Sequence, residues 1–428
     1  MGTLLALGVV AGFFRELVIA RFYGASADVD IFRLAYLFPQ TLSQTYSVSF
    51  VTLIVGILIG SHNSGGVNER DIIRIGSGYI LVLTAIGLLT IPLQILIFAP
   101  GLADEYRAYL AMQMALGWLM FLLVGITFTP RAVLNEQRRY LSGAITPFLR
   151  AAAFVVIMLL LLWFGTSSSQ PMLASWVLIS AALLSSLPVI VVHWIAYARR
   201  DKKHNELSQK RAKNYSFVWK IWWMLTVVLG YQILVSGGRL IDRAFASFLE
   251  TGTVAAVEYS YSLTSAVAAL ATSAASIVLV PELRRVGFFA ERRPSRPFLL
   301  LAVLIIVCGI AGIISSAFSE LLISWVYGRG AFDASAIDTT AKVFQWQSIS
   351  LLAVAIGLIT SQFLIASGKT SALMWLALLK LIIKAAMVAL TLKPMGVASL
   401  GVSYAISEAV FAMLASYVVI RGTRNGTL

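Results

Sequence analysis

Charge is scarce in this chain of 428 residues: Asp, Glu, Lys and Arg make up 12% of it, roughly half of what a soluble domain carries. With 59% hydrophobic residues, a mean hydropathy of +0.87 and apolar runs of bilayer length from end to end, the composition excludes a soluble fold and indicates a polytopic membrane protein. The longest polar stretch, Arg199 to Tyr215, is too short to bury a core of its own. Cysteine is nearly absent. Cys308 lies alone in an apolar run, which excludes a disulfide within the chain and argues against a thiolate metal site. The three histidines, His62, His193 and His204, stand apart from one another and from acids at metal-ligand spacing. A glycine-rich phosphate loop is missing too, so ATP hydrolysis is not expected. We therefore expect neither an enzyme nor a cofactor or metal site.

Acids are scarcer than bases, 19 against 33, and the net charge is +14. Nucleic-acid binding would need those bases gathered on one solvated surface, whereas most fall in short loops between apolar runs. The first residues lack a basic segment and a small-residue cleavage site, so the first apolar run reads as a retained helix.

Hydropathy predicts an all-α protein of twelve transmembrane helices, at about 2–24, 31–60, 72–99, 105–129, 139–164, 172–198, 215–248, 253–280, 297–327, 335–367, 371–392 and 396–420. Pro39, Pro92, Pro147 and Pro188 fall inside spans and predict kinks. Basic loops at Arg70 and Arg74, at Arg131, Arg138 and Arg139, and across 199–213 alternate with ASADVD, GLADEY and GTSSSQP, which hold no Lys or Arg. In the second half Arg284, Arg285, Arg292, Arg293 and Arg296, then Lys369, then Arg421 and Arg424 face Arg329 and Lys393. The positive-inside rule and the even number of spans both place the two termini in the cytoplasm.

The basic run 199–214 divides the chain into six-helix lobes, 1–198 and 215–428, the pattern of a duplicated transporter. A shift of 228 residues aligns Arg15, Gly24, Ala27, Val29 and Asp30 with Arg243, Gly252, Ala255, Val257 and Glu258. Each copy then carries an arginine late in one helix, a glycine turn, and an acid where the next helix begins. Such a parallel repeat relates the lobes by a pseudo-two-fold axis along the membrane normal.

Ionisable groups inside spans are costly in lipid and mark substrate paths or interhelical pairs. They include Arg15, Glu16 and Arg21 on the first span, Arg33 on the second and Arg150 on the fifth. The second half adds Arg239, Asp242 and Arg243 on the seventh, Glu258 on the eighth, Lys342 on the tenth, and Lys380 and Lys384 on the eleventh. Asp242 lies three residues from Arg239 and is expected to pair with it. Arg21 and Lys384 are placed to snorkel. Surplus guanidinium suits a cargo bearing phosphate, whose oxygens it grips in pairs. The candidate substrate-binding set is Arg15, Glu16, Asp30, Arg33, Arg239, Asp242, Arg243, Glu258 and Lys380.

The motifs bear a family likeness. Gly12-Phe13-Phe14-Arg15-Glu16, Ala20-Arg21-Phe22-Tyr23-Gly24, Asp30-Ile31-Phe32, Asp242-Arg243 with Glu258-Tyr259, Pro281-Glu282-Leu283 and Gly328-Arg329-Gly330-Ala331-Phe332-Asp333 resemble those of MurJ/MviN-type lipid II flippases. These belong to the multidrug/oligosaccharidyl-lipid/polysaccharide exporter superfamily. The resemblance implies a flippase of the bacterial cytoplasmic membrane that moves a polyprenyl-diphosphate-linked saccharide by alternating access, with Arg15 and Asp30 at positions important for flipping. The family's arginine pair on the second span falls here at Leu42 and Ser43, and an arginine of the eighth at Ser262. Lipid II and precursors of exopolysaccharide, capsule or O-antigen all stay open as cargo, and an ion gradient or the membrane potential as the drive. An exporter of organic cations would need an acid-lined cavity. A polymerase or ligase of lipid-linked sugars would need a large outer loop, and a scaffold would not need Arg15 or Arg243 for transport.

Overall fold

The computed structural model describes residues 2–64, 69–165, 172–199, 215–266, 268, 296–366 and 369–424. The linker residues 200–213 with His204, the Pro281-Glu282-Leu283 motif, and Arg284 to Arg293 lie outside the described residues. Regular structure among the described residues is entirely helical. That is the form a chain takes where lipid offers its backbone no hydrogen-bond partner.

The first unit's helices are α1 (Gly2–Tyr23), α2 (Ala27–Thr41), α3 (Ser47–Ser64), α4 (Glu69–Leu89), α5 (Ile91–Phe98), α6 (Asp104–Gly125), α7 (Phe128–Glu136), α8 (Leu141–Gly165), α9 (Leu173–Leu184) and α10 (Ser186–Ala198). Then follow α11 (Tyr215–Ala246), α12 (253–266), α13 (Arg296–Ala317), α14 (Ser319–Tyr327), α15 (Ala334–Ile349), α16 (Leu351–Ala366), α17 (Thr370–Met395) and α18 (Ala398–Arg424). Among the described residues eight helices are long and apolar enough to cross a membrane, and two bent pairs raise the number to ten. All ten coincide with expected spans. The other two expectations correspond to α1 and to a span of which α12 is the described start.

Breaks follow local chemistry. Pro92 opens α5 directly after the break at Thr90, Pro188 sits in the first turn of α10, and Pro39 precedes a π-helical turn at Leu42–Tyr46. The 84° bend between α13 and α14 and the 49° bend between α15 and α16 contain no proline and were not foreseen.

The burial pattern is the reverse of a soluble protein's. Leu89, Trp163, Phe164, Trp219 and Leu390 are exposed, while Gln113, Ser175, Ser260 and Gln347 are fully buried. Exposed apolar side chains at this density match a hydrocarbon surround. The buried polar ones join helices, Gln113 donating to Ser175 (2.6 Å) and Ser260 to Gln347 (2.7 Å).

The chain divides into two compact units, residues 1–18 with 27–233, and residues 19–26 with 234–428. In the first, α2 packs against α6 and α9, and every residue from Val29 to Leu37 is buried. The first part of α11 also belongs here: Trp222 donates to the Ile75 carbonyl (3.3 Å) and Gln232 to Ser49 (2.6 Å). In the second unit α18 packs along α15, α16 and α17. The end of α1 joins this unit, where the Ala331 amide donates to the Arg21 carbonyl (2.9 Å) and the Tyr259 hydroxyl to that of Gly24 (2.9 Å). Both glycines of the internal repeat are left-handed, Gly24 at φ 59° and Gly252 at φ 91°. A side chain on either would also run into a backbone carbonyl, of Ala331 and Ala25 respectively.

Gly252→Ala is therefore expected to destabilise the protein by about 2 kcal/mol, combining left-handed strain with a backbone clash. Gly230→Ala, in a helix with open space around it, serves as the neutral comparison. Thermal unfolding in detergent reads both; equal midpoints would refute the role assigned to Gly252.

Candidate functional site

The first unit holds three in-span cations away from solvent, Arg33 and Arg150 buried and Arg15 half-buried. Glu16 on α1 accepts from Arg15 through Nη2 (2.5 Å) and Nε (3.1 Å), and its other oxygen bonds Arg33 of α2. Arg33 is sealed, whereas the Arg15 side chain keeps 12% of its surface open and lies 5.4 Å from the Phe154 ring centre. One carboxylate thus serves two guanidinium groups. Asp30 stands one turn before Arg33 on α2, 8% exposed.

Arg150 on α8 is the third cation, and the partners it bonds are neutral. It donates to Ser43 (3.2 Å) and to the Tyr36 hydroxyl (3.1 Å), and lies against the Met120 sulfur, without a carboxylate partner among the described residues. It thereby brings a guanidinium to Ser43, one of the two positions where the resembling family carries its own arginines. Arg150 was visible as an in-span charge, but nothing in its local sequence told that it would reach this far.

In the second unit, Arg243 of α11 donates through Nε to Glu258 of α12 (2.8 Å), and both residues are buried. This is the arginine and acid that the repeat aligned with Arg15 and Asp30. Asp242 does not pair with Arg239 as expected. It accepts from Lys384 of α17 (2.6 Å), because Asp242 and Lys384 both face the unit's interior, each 1% exposed. For the same reason Lys384 does not snorkel. Lys380, one turn earlier, is held by Glu408 of α18 (2.5 Å), an acid absent from the expected set. Arg239 instead lies over the Tyr261 ring, 3.7 Å from its centre, with no carboxylate of the described residues within ion-pair distance. Arg21 is exposed at its helix end, and Lys342 pairs with Asp338 on an exposed face of α15. A further acid, Asp28, accepts the Ser175 amide (3.0 Å) in the first turn of α9 and acts as a structural cap.

The charge count decides what each group can do chemically. The first unit sets Arg15, Arg33 and Arg150 against Glu16 and Asp30; the second sets Arg239, Arg243, Lys380 and Lys384 against Asp242, Glu258 and Glu408. Within this set the surplus expected from the sequence shrinks to one cation in each unit, and Arg150 and Arg239 are its members without a carboxylate partner among the described residues. A guanidinium held by hydroxyls or an aromatic face keeps its charge and its affinity for an anion.

A family model described as "Lipid II flippase MurJ" matches residues 19–425. A probable lipid II flippase MurJ of Rhizobium tropici is 22% identical over 343 residues, which cover 76% of this chain and 62% of that protein. The chain therefore spans less than two thirds of that relative's length. Among solved structures, lipid II flippase MurJ in an inward closed conformation aligns with a TM-score of 0.78 at 14% identity, over 96% of this chain and 85% of that one. An inward-facing multidrug resistance MATE family transporter of the MOP superfamily aligns with a TM-score of 0.65 at 12% identity, over 99% and 95%. At such identities these likenesses speak for the fold, while the family model reaches nearly the full length. The chain belongs to the lipid II flippase MurJ family.

Proposed function

We propose that this protein carries a polyprenyl-diphosphate-linked saccharide across the bacterial cytoplasmic membrane by alternating access. Lipid II and precursors of exopolysaccharide, O-antigen or capsule share the required head. Membership of the flippase family supports the reading, and the observation that carries it is a surplus guanidinium in each unit, buried at Arg150 and half-buried at Arg239. Within the first unit the phosphate head is assigned to Arg15, Arg33 and Arg150, and within the second, taken by itself, Arg239 is assigned the same affinity, with Asp30 and Glu258 competing for the arginines of their own unit as the cycle turns. The pairs Arg243–Glu258, Asp242–Lys384 and Lys380–Glu408 then hold helices in register. Glu16, shared between two arginines, tunes how readily Arg15 is released.

In this reading residues 1–198 and 215–428 are the moving lobes and 199–214 is a cytoplasmic linker, with both chain ends on the same side by the positive-inside rule. A monovalent ion gradient or the membrane potential supplies the drive. Export of organic cations is disfavoured, because Glu16, Asp242, Glu258 and Glu408 each face a cation and leave no acid surplus.

Reconstitution in liposomes with fluorescent polyprenyl-diphosphate sugars, followed by protection from a membrane-impermeant reagent, tests the proposal. Movement of the sugar lipid is expected; movement of an organic cation in its place would overturn it. Arg15→Ala is expected to slow movement at least about tenfold, the equivalent of about 1.4 kcal/mol at the barrier, with folded protein unchanged.

Arg150→Met separates site from scaffold. Replacing an uncompensated buried charge by an apolar side chain of similar length should leave thermal stability equal or higher while transport falls at least about tenfold. Arg243→Gln should instead cost about 3 kcal/mol or more by stranding Glu258, and Glu258→Gln in the same chain should recover much of it. If Arg243→Gln keeps full stability and loses transport, Arg243 belongs to the binding set.

A further inference from the structure

Away from these clusters the first unit holds a cavity of about 630 Å³ where four helix ends meet. Leu4 of α1, Leu134 at the end of α7, Leu141, Ala144 and Ile145 at the start of α8, and Val192 and Ala196 of α10 make an apolar wall. Arg138, Arg139 and Arg199 complete the lining with Tyr140 and Ser142, and no acid among the described residues is part of it.

Two details mark it as built. Arg138 is left-handed at φ 60°, with its amide donating to the Asn135 carbonyl (3.1 Å) and the Arg139 amide to that of Leu134 (2.8 Å). That pair of bonds ends α7 in the manner that normally selects glycine at the left-handed residue. An arginine there accepts backbone strain to keep its side chain. Arg139 in turn donates to the Arg199 carbonyl (3.2 Å), which ties the two basic loops together. Second, Ser142 is 7% exposed, lines the cavity, and its hydroxyl has no hydrogen-bond partner. The Arg131 side chain lies against neighbouring Gly143, its Nε likewise unpartnered.

We propose that this cavity is a binding site for the phosphate head of an anionic membrane lipid, its chain lying along Leu4, Leu141, Ile145 and Val192. The guanidinium groups of Arg138, Arg139 and Arg199, with Ser142 among the lining residues, suit phosphate oxygens. The apolar wall and the exposed Tyr140 suit the membrane interface. The loops concerned carry the bases that the positive-inside rule sets on the cytoplasmic side, where anionic head groups concentrate. The inference needs only that the protein spans a membrane and does not depend on the cargo.

Native mass spectrometry of the full chain in detergent, with phosphatidylglycerol, phosphatidylcholine or a polyprenyl phosphate added in turn, tests it. Phosphatidylglycerol should be retained several-fold better than phosphatidylcholine, and Arg138→Gly with Arg199→Gln should bring it down to the phosphatidylcholine level. Arg138→Gly should keep or raise the unfolding midpoint, since glycine suits the left-handed position; Arg199→Gln alone, on an exposed residue, gives a second reading free of backbone effects. If polyprenyl phosphate displaces phosphatidylglycerol through the same arginines, the phosphate site stands and its occupant is the carrier lipid. Equal retention of phosphatidylglycerol and phosphatidylcholine, or retention unchanged in the double variant, would overturn the proposal.

Discussion

A guanidinium or ammonium group inside an apolar helix bundle is tolerated only if something takes up its charge, and in this protein that something comes mostly from another helix. Glu16 joins α1 to α2 through Arg33, Glu258 joins α12 to α11, Asp242 joins α11 to α17, and Glu408 joins α18 to α17. Coulomb attraction strengthens as water is excluded, yet so does the cost of desolvation, so such pairs add little net stability while penalising any arrangement that separates them. They act as register pins. The hydrophobic effect cannot supply this specificity, because a lipid tail is as apolar as the leucines it touches.

Much of the fold was legible because spanning helices are written in length and hydropathy, and the in-span charges were legible for the same reason, as exceptions to them. Their partners were not. The i,i+3 spacing of Arg239 and Asp242 pointed to a pair, but that rule describes a helix in water, where neighbours on one face have nothing better to bond. Inside the unit Asp242 turns to Lys384, 142 residues away, and Arg239 to an aromatic ring. Glu408 went unnoticed because its role depends on α17 and α18 lying side by side. The bends at Phe318 and Ser350 carry no proline, so nothing in the sequence flagged them.

The internal repeat shows which features a duplicated helix pair keeps. Gly24 and Gly252 share a left-handed backbone and the same intolerance of a side chain, since each turn meets another backbone at close range. The electrostatics diverged. Arg243 reaches the acid at the start of the following helix, whereas Arg15 uses its own neighbour, Glu16, and shares it with Arg33. Steric requirements at a turn leave one solution, while a charge requirement leaves several.

That divergence bears on which arginines can exchange partners. Arg243 and Glu258 together carry no net charge, so bringing phosphate to them would leave a buried negative charge unmatched. Arg15, Glu16 and Arg33 by themselves sum to one positive charge, which under the proposed function an arriving phosphate would offset in competition with Asp30. Arg15 is also the member with an open edge, so it can let go of Glu16 while Arg33 keeps that carboxylate compensated. The exchange replaces one anion with another on a guanidinium already stripped of most of its water, so little of the desolvation cost falls at the moment of binding. A difference of a few kcal/mol between the two partners is then enough to bias one conformation over the other. By the same count Arg150 and Arg239, held by hydroxyls, a thioether and a ring, are the groups at which the proposed cargo would meet a guanidinium without displacing a carboxylate of the described residues.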